Sequence, residues 1–142
     1  MASRQQPSIG ISVKAPDQKC SDDNCPFHGK LSVRGRLFTG SIVSGKMTKT
    51  VVIEFDRLHF LKKYERYEKR RTKLKAHNPE CINAKEGDVV KVMECRPLSK
   101  TKSFVIIESV GKEKGFIGKM EARESAKVAD KLKKEETEES DK

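Results

Sequence analysis

Arg57–His77 (RLHFLKKYERYEKRRTKLKAH) carries nine lysines and arginines, at 57, 62, 63, 66, 69, 70, 71, 73 and 75, against Glu65 and Glu68. A net charge of +7 over 21 residues is too one-sided for the segment to neutralise itself. Lysine and arginine neutralise phosphates, arginine in a bidentate fork, and the interleaved Tyr64 and Tyr67 offer rings for an unpaired base or sugar. Two shorter stretches repeat this chemistry. Lys46 and Lys49 flank a short connector, and Arg96, Lys100 and Lys102 lie in RPLSKTK, where the Ser99 and Thr101 hydroxyls suit phosphate and 2′-OH contacts. The competing reading of the block is a solvated helix face, with Glu65 paired to neighbouring cations and the tyrosines in the core.

A second cluster has metal-ligand character. Cys20, Cys25 and His28 give C-x4-C-x2-H, three of the four ligands that a structural zinc requires. The fourth would have to come from Cys81, Cys95, His59, His77 or a nearby carboxylate. The alternative is free thiols in a reducing compartment, where a disulfide is disfavoured. With the ligand set incomplete, no metal site and no cofactor is expected. Catalytic patterns such as GxSxG, Walker A and HExxH do not occur. Glu86, Asp88 and Glu94 read as turn and strand residues, and the chain is not expected to be an enzyme.

The elements that position these groups follow from composition. Of 142 residues, 37% are charged and 35% hydrophobic, and Lys plus Arg number 31 against 21 Asp plus Glu. The charge is uneven, at +12 over residues 1–120 and −2 over 121–142. A basic body favours a polyanionic partner through attraction and counterion release. Valine and isoleucine outnumber leucine by 19 to 7, and β-branched residues fit pleated sheets. No apolar run exceeds the four residues Phe104–Ile107, which excludes a helical membrane span, and residues 1–10 lack the layout of a signal peptide, so a cytoplasmic chain is expected.

Arg34–Ser44 and Thr50–Asp56 make one hairpin, with Gly40 marking a bulge or strong curl. Val89–Cys95 and Ser103–Val110 make a second, with Arg96–Lys102 as a loop because Pro97 cannot donate to a central ladder. Most phenylalanines fall at strand positions and read as core. Between the hairpins the pattern is double. Leu58, Leu61, Tyr64 and Tyr67 recur at helical intervals and slightly favour a helix over 58–70, while the basic residues at 69, 71, 73 and 75 alternate as in a strand. Residues 1–30 read as an extended arm pinned by Ile9, Ile11, Val13 and Phe27. Glu121–Glu136 reads as a thinly apolar helix in a charged tail.

Three stretches resemble one family. GSIVSGKMTKTVVI (Gly40–Ile53), YERYEKRRTKLKAHNP (Tyr64–Pro79) and EGDVVKVMECRPLSKTKSF (Glu86–Phe104) are similar, in that order and spacing, to the universal small-ribosomal-subunit protein seventeen family. The likeness spans roughly Leu31–Val110, and the cysteine-bearing arm is similar to the archaeal form. It implies an all-β, five-stranded OB-fold barrel with long basic loops over 31–110, an extended N-terminal arm (1–30) and a partly helical or disordered C-terminal tail (111–142). It turns Tyr67–His77 from helix end to strand.

The resemblance also implies a structural, rRNA-binding component of the small ribosomal subunit, engaging the 5′ domain of its RNA early in assembly. Its partners would be rRNA and other small-subunit proteins, with no membrane and no homo-oligomer. The family's RNA-facing positions fall here on Lys46, Met47, Lys49, Thr50, Lys69, Arg70, Arg71, Lys73, Lys75, His77, Arg96, Pro97, Ser99, Lys100 and Lys102. Two rivals remain: an OB-fold binder of single strands, against which the 6% aromatic content counts, and a metal- or redox-dependent protein built on the Cys/His arm.

Overall fold

In the computed structural model, which describes residues 9–140, the β-branched runs become five strands. They are β1 (Val33–Met47), β2 (Thr50–Leu61), β3 (Arg66–His77), β4 (Asp88–Ser99) and β5 (Lys102–Lys112). They pair in the order β1-β2-β3-β5-β4, and β1 also pairs with β4, so the sheet closes into a barrel. The closing contact is the short parallel pairing of β3 with β5, Ala76 opposite Phe104 and His77 opposite Val105. Topology and all-β content fit the expected OB-type barrel. No described helix is long and apolar enough to cross a membrane.

The barrel interior is small and dominated by β-branched residues. Ile42, Val51, Ile53, Val90, Val92 and Ile106 are buried together with Ala76 and Ala84, and Phe38, Ile82 and Phe104 pack against them. Each fully buried valine or isoleucine contributes about 1.5–3 kcal/mol of transfer free energy. Phe38 stacks on Phe55 with centroids 5.0 Å apart. At Gly40, β1 passes close against β2. A Cβ there would sit 2.7 Å from the Glu54 carbonyl oxygen and 2.8 Å from an Ile53 methyl, so the expected curl is a close approach that only glycine permits.

A second apolar layer lies on the opposite face of β4 and β5. Met93, Cys95, Val105 and Ile107 alternate with the interior Val92 and Ile106, and they pack under Cys25 and Phe27 of the arm and Leu31 just after it. Ile9, Ile11 and Val13 join the same cluster as expected. This explains the uninterrupted run Phe104–Ile107: its strand is covered on both faces.

Two expectations are corrected. The helix favoured over 58–70 does not form. β2 continues to Leu61, a single 3-10 turn spans Lys62–Tyr64, and β3 pairs with β2 in unbroken register from Leu61–Arg66 to Thr50–His77. A helix needs an apolar face to bury, and Leu58, Tyr64 and Tyr67 are 64%, 63% and 70% exposed. Nor is Arg96–Lys102 a loop: β4 runs through Pro97 to Ser99, and only Lys100 and Thr101 turn. Pro97 is accommodated because the β4–β5 register is interrupted between Glu94 and Ser99.

A separate unit begins at Glu113. It contains α1 (Phe116–Ser140), which includes the helix expected over 121–136, and Lys119 pairs with Glu113 in its first turn.

Candidate nucleic-acid interface

Strand geometry decides which cations share a face. Residues opposite each other in an antiparallel ladder point the same way, and successive residues alternate. The β2–β3 pairs Val52–Lys75, Glu54–Lys73, Asp56–Arg71, Leu58–Lys69 and Phe60–Tyr67 therefore lie on one face. The intervening pairs, Val51–Ala76 and Ile53–Leu74, lead into the barrel core. The core-opposed face thus carries Lys75, Lys73, Arg71 and Lys69 in a line, one every two residues or about 7 Å. Beyond Phe55 and Thr72 neither strand has another partner, so the pair continues as a two-stranded ribbon.

The stripe is not uniformly charged. Near the barrel, the buried Glu54 carboxylate lies 3.8 Å from Arg71 and 4.0 Å from Lys73. Arg70 occupies the other face and makes a fork to Glu68 at 2.9 and 3.1 Å, which holds the Glu68 carboxyl below its ordinary pKa. Lys69 and Lys75 have no ion-pair partner among the described residues. The net field over the ribbon stays positive.

The two cationic connectors meet the stripe at one rim of the barrel. Met47 and Thr50 close the β1–β2 hairpin around Thr48 and Lys49, the latter at φ 48°. Ser99 and Lys102 close the β4–β5 hairpin. The Lys102 ammonium donates to Thr50 Oγ1 at 3.1 Å, Lys102 is in register with Lys75, and Thr50 with His77. Lys46, Met47, Thr50, Lys75, Ser99, Lys100 and Lys102 are thereby gathered where three chain segments converge. Arg96 and Pro97 are exposed further along β4, and Arg96 donates to Asn24 Oδ1 at 3.4 Å.

Two further expected site residues have internal partners. Lys49 pairs with Glu80 at 2.7 Å and stands 3.9 Å from Asp22, so part of its charge is used within the protein. His77 is buried, with Nε2 donating to Asp22 Oδ2 at 2.9 Å. Burial pushes its pKa down by more than the Asp22 carboxylate raises it, so the imidazole is neutral near pH 7. Burial opposes ionisation of Asp22, but the Asn24 N–H, His77 and Lys49 outweigh it and hold its pKa below the usual value. Beside this rim, a groove of about 500 Å³ is edged by Lys46, Lys49 and Lys85 but also by Glu80 and Glu86, a mixed lining unsuited to a phosphate.

The end of the ribbon departs from expectation. Phe60 does not join the core: it is 45% exposed and pairs with Tyr67 in a tilted arrangement, centroids 5.1 Å apart and planes at 52°. Lys63 lies 5.4 Å from the Tyr64 ring centroid, and Lys62 and Arg66 flank it. The signal is present in the alternation: Phe60 follows Leu58 at strand spacing, on the same face as the lysines. The arm cysteines acquire a fourth companion. Cys81, from the connection after β3, joins Cys20, Cys25 and His28, with all four donor atoms within 4.8 Å of one another. Burial pushes the Cys25 and Cys81 thiols up from their ordinary pKa, and Cys95 lies in a different cluster.

The family model described as Ribosomal protein S17 matches residues 40–108, which include both hairpin tips, all of β2, β3 and β4, and most of β5. The chain is 60% identical over 105 residues to the small ribosomal subunit protein uS17 of Methanocaldococcus jannaschii, covering 74% of this chain and 90% of that protein. It is 64% identical over 101 residues to the protein of the same name from Methanococcus vannielii, covering 71% and 93%. The Archaeoglobus fulgidus counterpart is 58% identical over 105 residues, covering 74% and 94%.

Proposed function

Since the chain belongs to the Ribosomal protein S17 family, we propose that it binds small-subunit rRNA through the rim and ribbon of its barrel. It is a structural constituent of the small ribosomal subunit, associated there with rRNA and other ribosomal proteins, and it is not an enzyme. Its place on the ribosome makes it cytoplasmic.

The carrying observation for the interface is geometric. Lys69, Arg71, Lys73 and Lys75 form one line, and Lys102 bonded to Thr50 joins that line to both hairpin tips. The proposed contact set is Lys46, Met47, Lys49, Thr50, Lys69, Arg70, Arg71, Lys73, Lys75, Arg96, Pro97, Ser99, Lys100 and Lys102. His77 is buried and acts by holding the arm to β3 rather than by touching RNA. Residues 31–110 are the binding domain, 1–30 its arm and 111–142 an extension, and the protein acts as a single copy. Cations supply most of the affinity, while backbone shape and 2′-OH contacts supply discrimination. The exposed Phe60–Tyr67 pair favours an added stacking contact at the ribbon end, a feature otherwise typical of single-strand binders.

Following the resemblance, the target is the 5′ domain of small-subunit rRNA. The test is binding of the purified full chain to a 5′-domain transcript across a salt series. The expected result is tight binding that weakens steeply with salt and exceeds that for an unrelated structured RNA of equal length. Affinity indifferent to salt, or equal for both RNAs, overturns it.

A further inference from the structure

We propose that Cys20, Cys25, His28 and Cys81 form a structural zinc site that fastens the N-terminal arm to the connection between β3 and β4. Three of the six donor separations match the edges of a tetrahedral shell, and all six lie within 4.8 Å. Zinc–sulfur bonds of about 2.3 Å and zinc–nitrogen bonds of about 2.0 Å give tetrahedral edges of about 3.8 Å between sulfurs and about 3.5 Å between sulfur and nitrogen. Here Cys25 Sγ and Cys81 Sγ are 3.6 Å apart, and His28 Nδ1 is 3.5 Å from Cys20 Sγ and 3.7 Å from Cys25 Sγ. The Cys25–Cys81 separation is far from the roughly 2.05 Å of a disulfide. Three thiols and one imidazole, with no carboxylate among the four, are the donors that zinc prefers.

The scaffold holds these atoms in place from both sides. In the arm, Cys25 N donates to Asp22 O and Gly29 N to Cys25 O, both at 3.0 Å, a tight turn that brings His28 back over Cys25. A Cβ on Gly29 would meet the Asp23 carbonyl oxygen at 2.4 Å, so the turn requires glycine there. On the other side, Ile82 N and Asn83 N both bond the Pro79 carbonyl, and Asn78 clasps Ala84 through two hydrogen bonds, fixing Cys81 between them.

Binding releases three thiol protons and leaves a centre of net charge −1. What zinc adds is a cross-link between segments that β1, β2 and β3 separate in sequence. A barrel this small gains from a staple that its own core does not supply.

The test uses the full chain, free of RNA. Native mass spectrometry of protein purified under reducing conditions is expected to show one zinc per chain. Cobalt(II) exchanged into the site is expected to give tetrahedral ligand-field bands with thiolate-to-cobalt charge transfer. Cys81→Ser should weaken Zn²⁺ binding by at least about tenfold, while Cys95→Ser leaves it unchanged. His28→Cys should retain zinc and shift the cobalt bands, which separates loss of a ligand from loss of the fold. Wild-type protein that retains no zinc after loading and removal of excess metal overturns the site. So do an octahedral cobalt spectrum, a Cys25–Cys81 disulfide in the reduced preparation, or equal losses in Cys81→Ser and Cys95→Ser.

Discussion

The outer faces of β4–β5 and of β2–β3 belong to the same sheet and have the same antiparallel geometry, yet they are finished in opposite ways. On β4–β5 the face is Met93, Cys95, Val105 and Ile107, and the chain's own arm covers it. On β2–β3 it is Lys69, Arg71, Lys73 and Lys75, ending in Phe60 and Tyr67, all of them exposed. The first is complete once the protein folds. The second leaves charge and aromatic surface open to solvent. Cost explains the division. An uncovered apolar wall invites aggregation, whereas a cationic strand edge resists pairing with another sheet.

The comparison fails if the two faces respond alike to mutation. Ile107→Ala removes a fully buried side chain and should cost about 2–5 kcal/mol of stability by denaturant unfolding, with RNA affinity of the folded fraction unchanged. Reversing Lys69, Arg71, Lys73 and Lys75 to glutamate should weaken RNA binding by roughly a hundredfold. The slope of log affinity against log salt should fall by about one for each phosphate that is no longer neutralised, with little change in melting temperature. The same number of reversals among Lys114, Lys119 and the later lysines of α1 should act far less.

Asp22→Asn sharpens the arm side. It weakens the buried acceptor of His77 and should destabilise the protein by about 1–3 kcal/mol while leaving the salt dependence of RNA binding intact. Tyr67→Ala sharpens the ribbon side. Loss of one stacking ring should reduce affinity roughly tenfold, and thermal melting should be nearly unchanged because the ring is exposed.

Much of this division is legible in the residues. Alternation in Thr50–Asp56 and Val89–Cys95 announces strands, and the block at 57–77 announces a polyanion partner by charge alone. Periodicity fails at Leu58, Leu61, Tyr64 and Tyr67 because a 3.6-residue spacing signals a helix only where there is something to bury it against. Here the β2–β3 ladder satisfies the backbone instead, as the alternation of basic residues at 69, 71, 73 and 75 and the family likeness both indicate. Pro97 misleads for a similar reason, since a local register break lets a strand pass through a residue that cannot donate.

Composition and order of residues by themselves determined a small, basic, β-rich chain with its positive charge in one block and two hairpin connectors. Those properties are local or additive, so they survive without knowledge of the fold. Closure of the barrel decided the rest. It set Lys102 against Thr50, gave β3 one charged face and one core face, and laid the arm over Ile107. It also carried Cys81 to Cys20, Cys25 and His28, since proximity between distant segments is fixed by which strands pair and in what register.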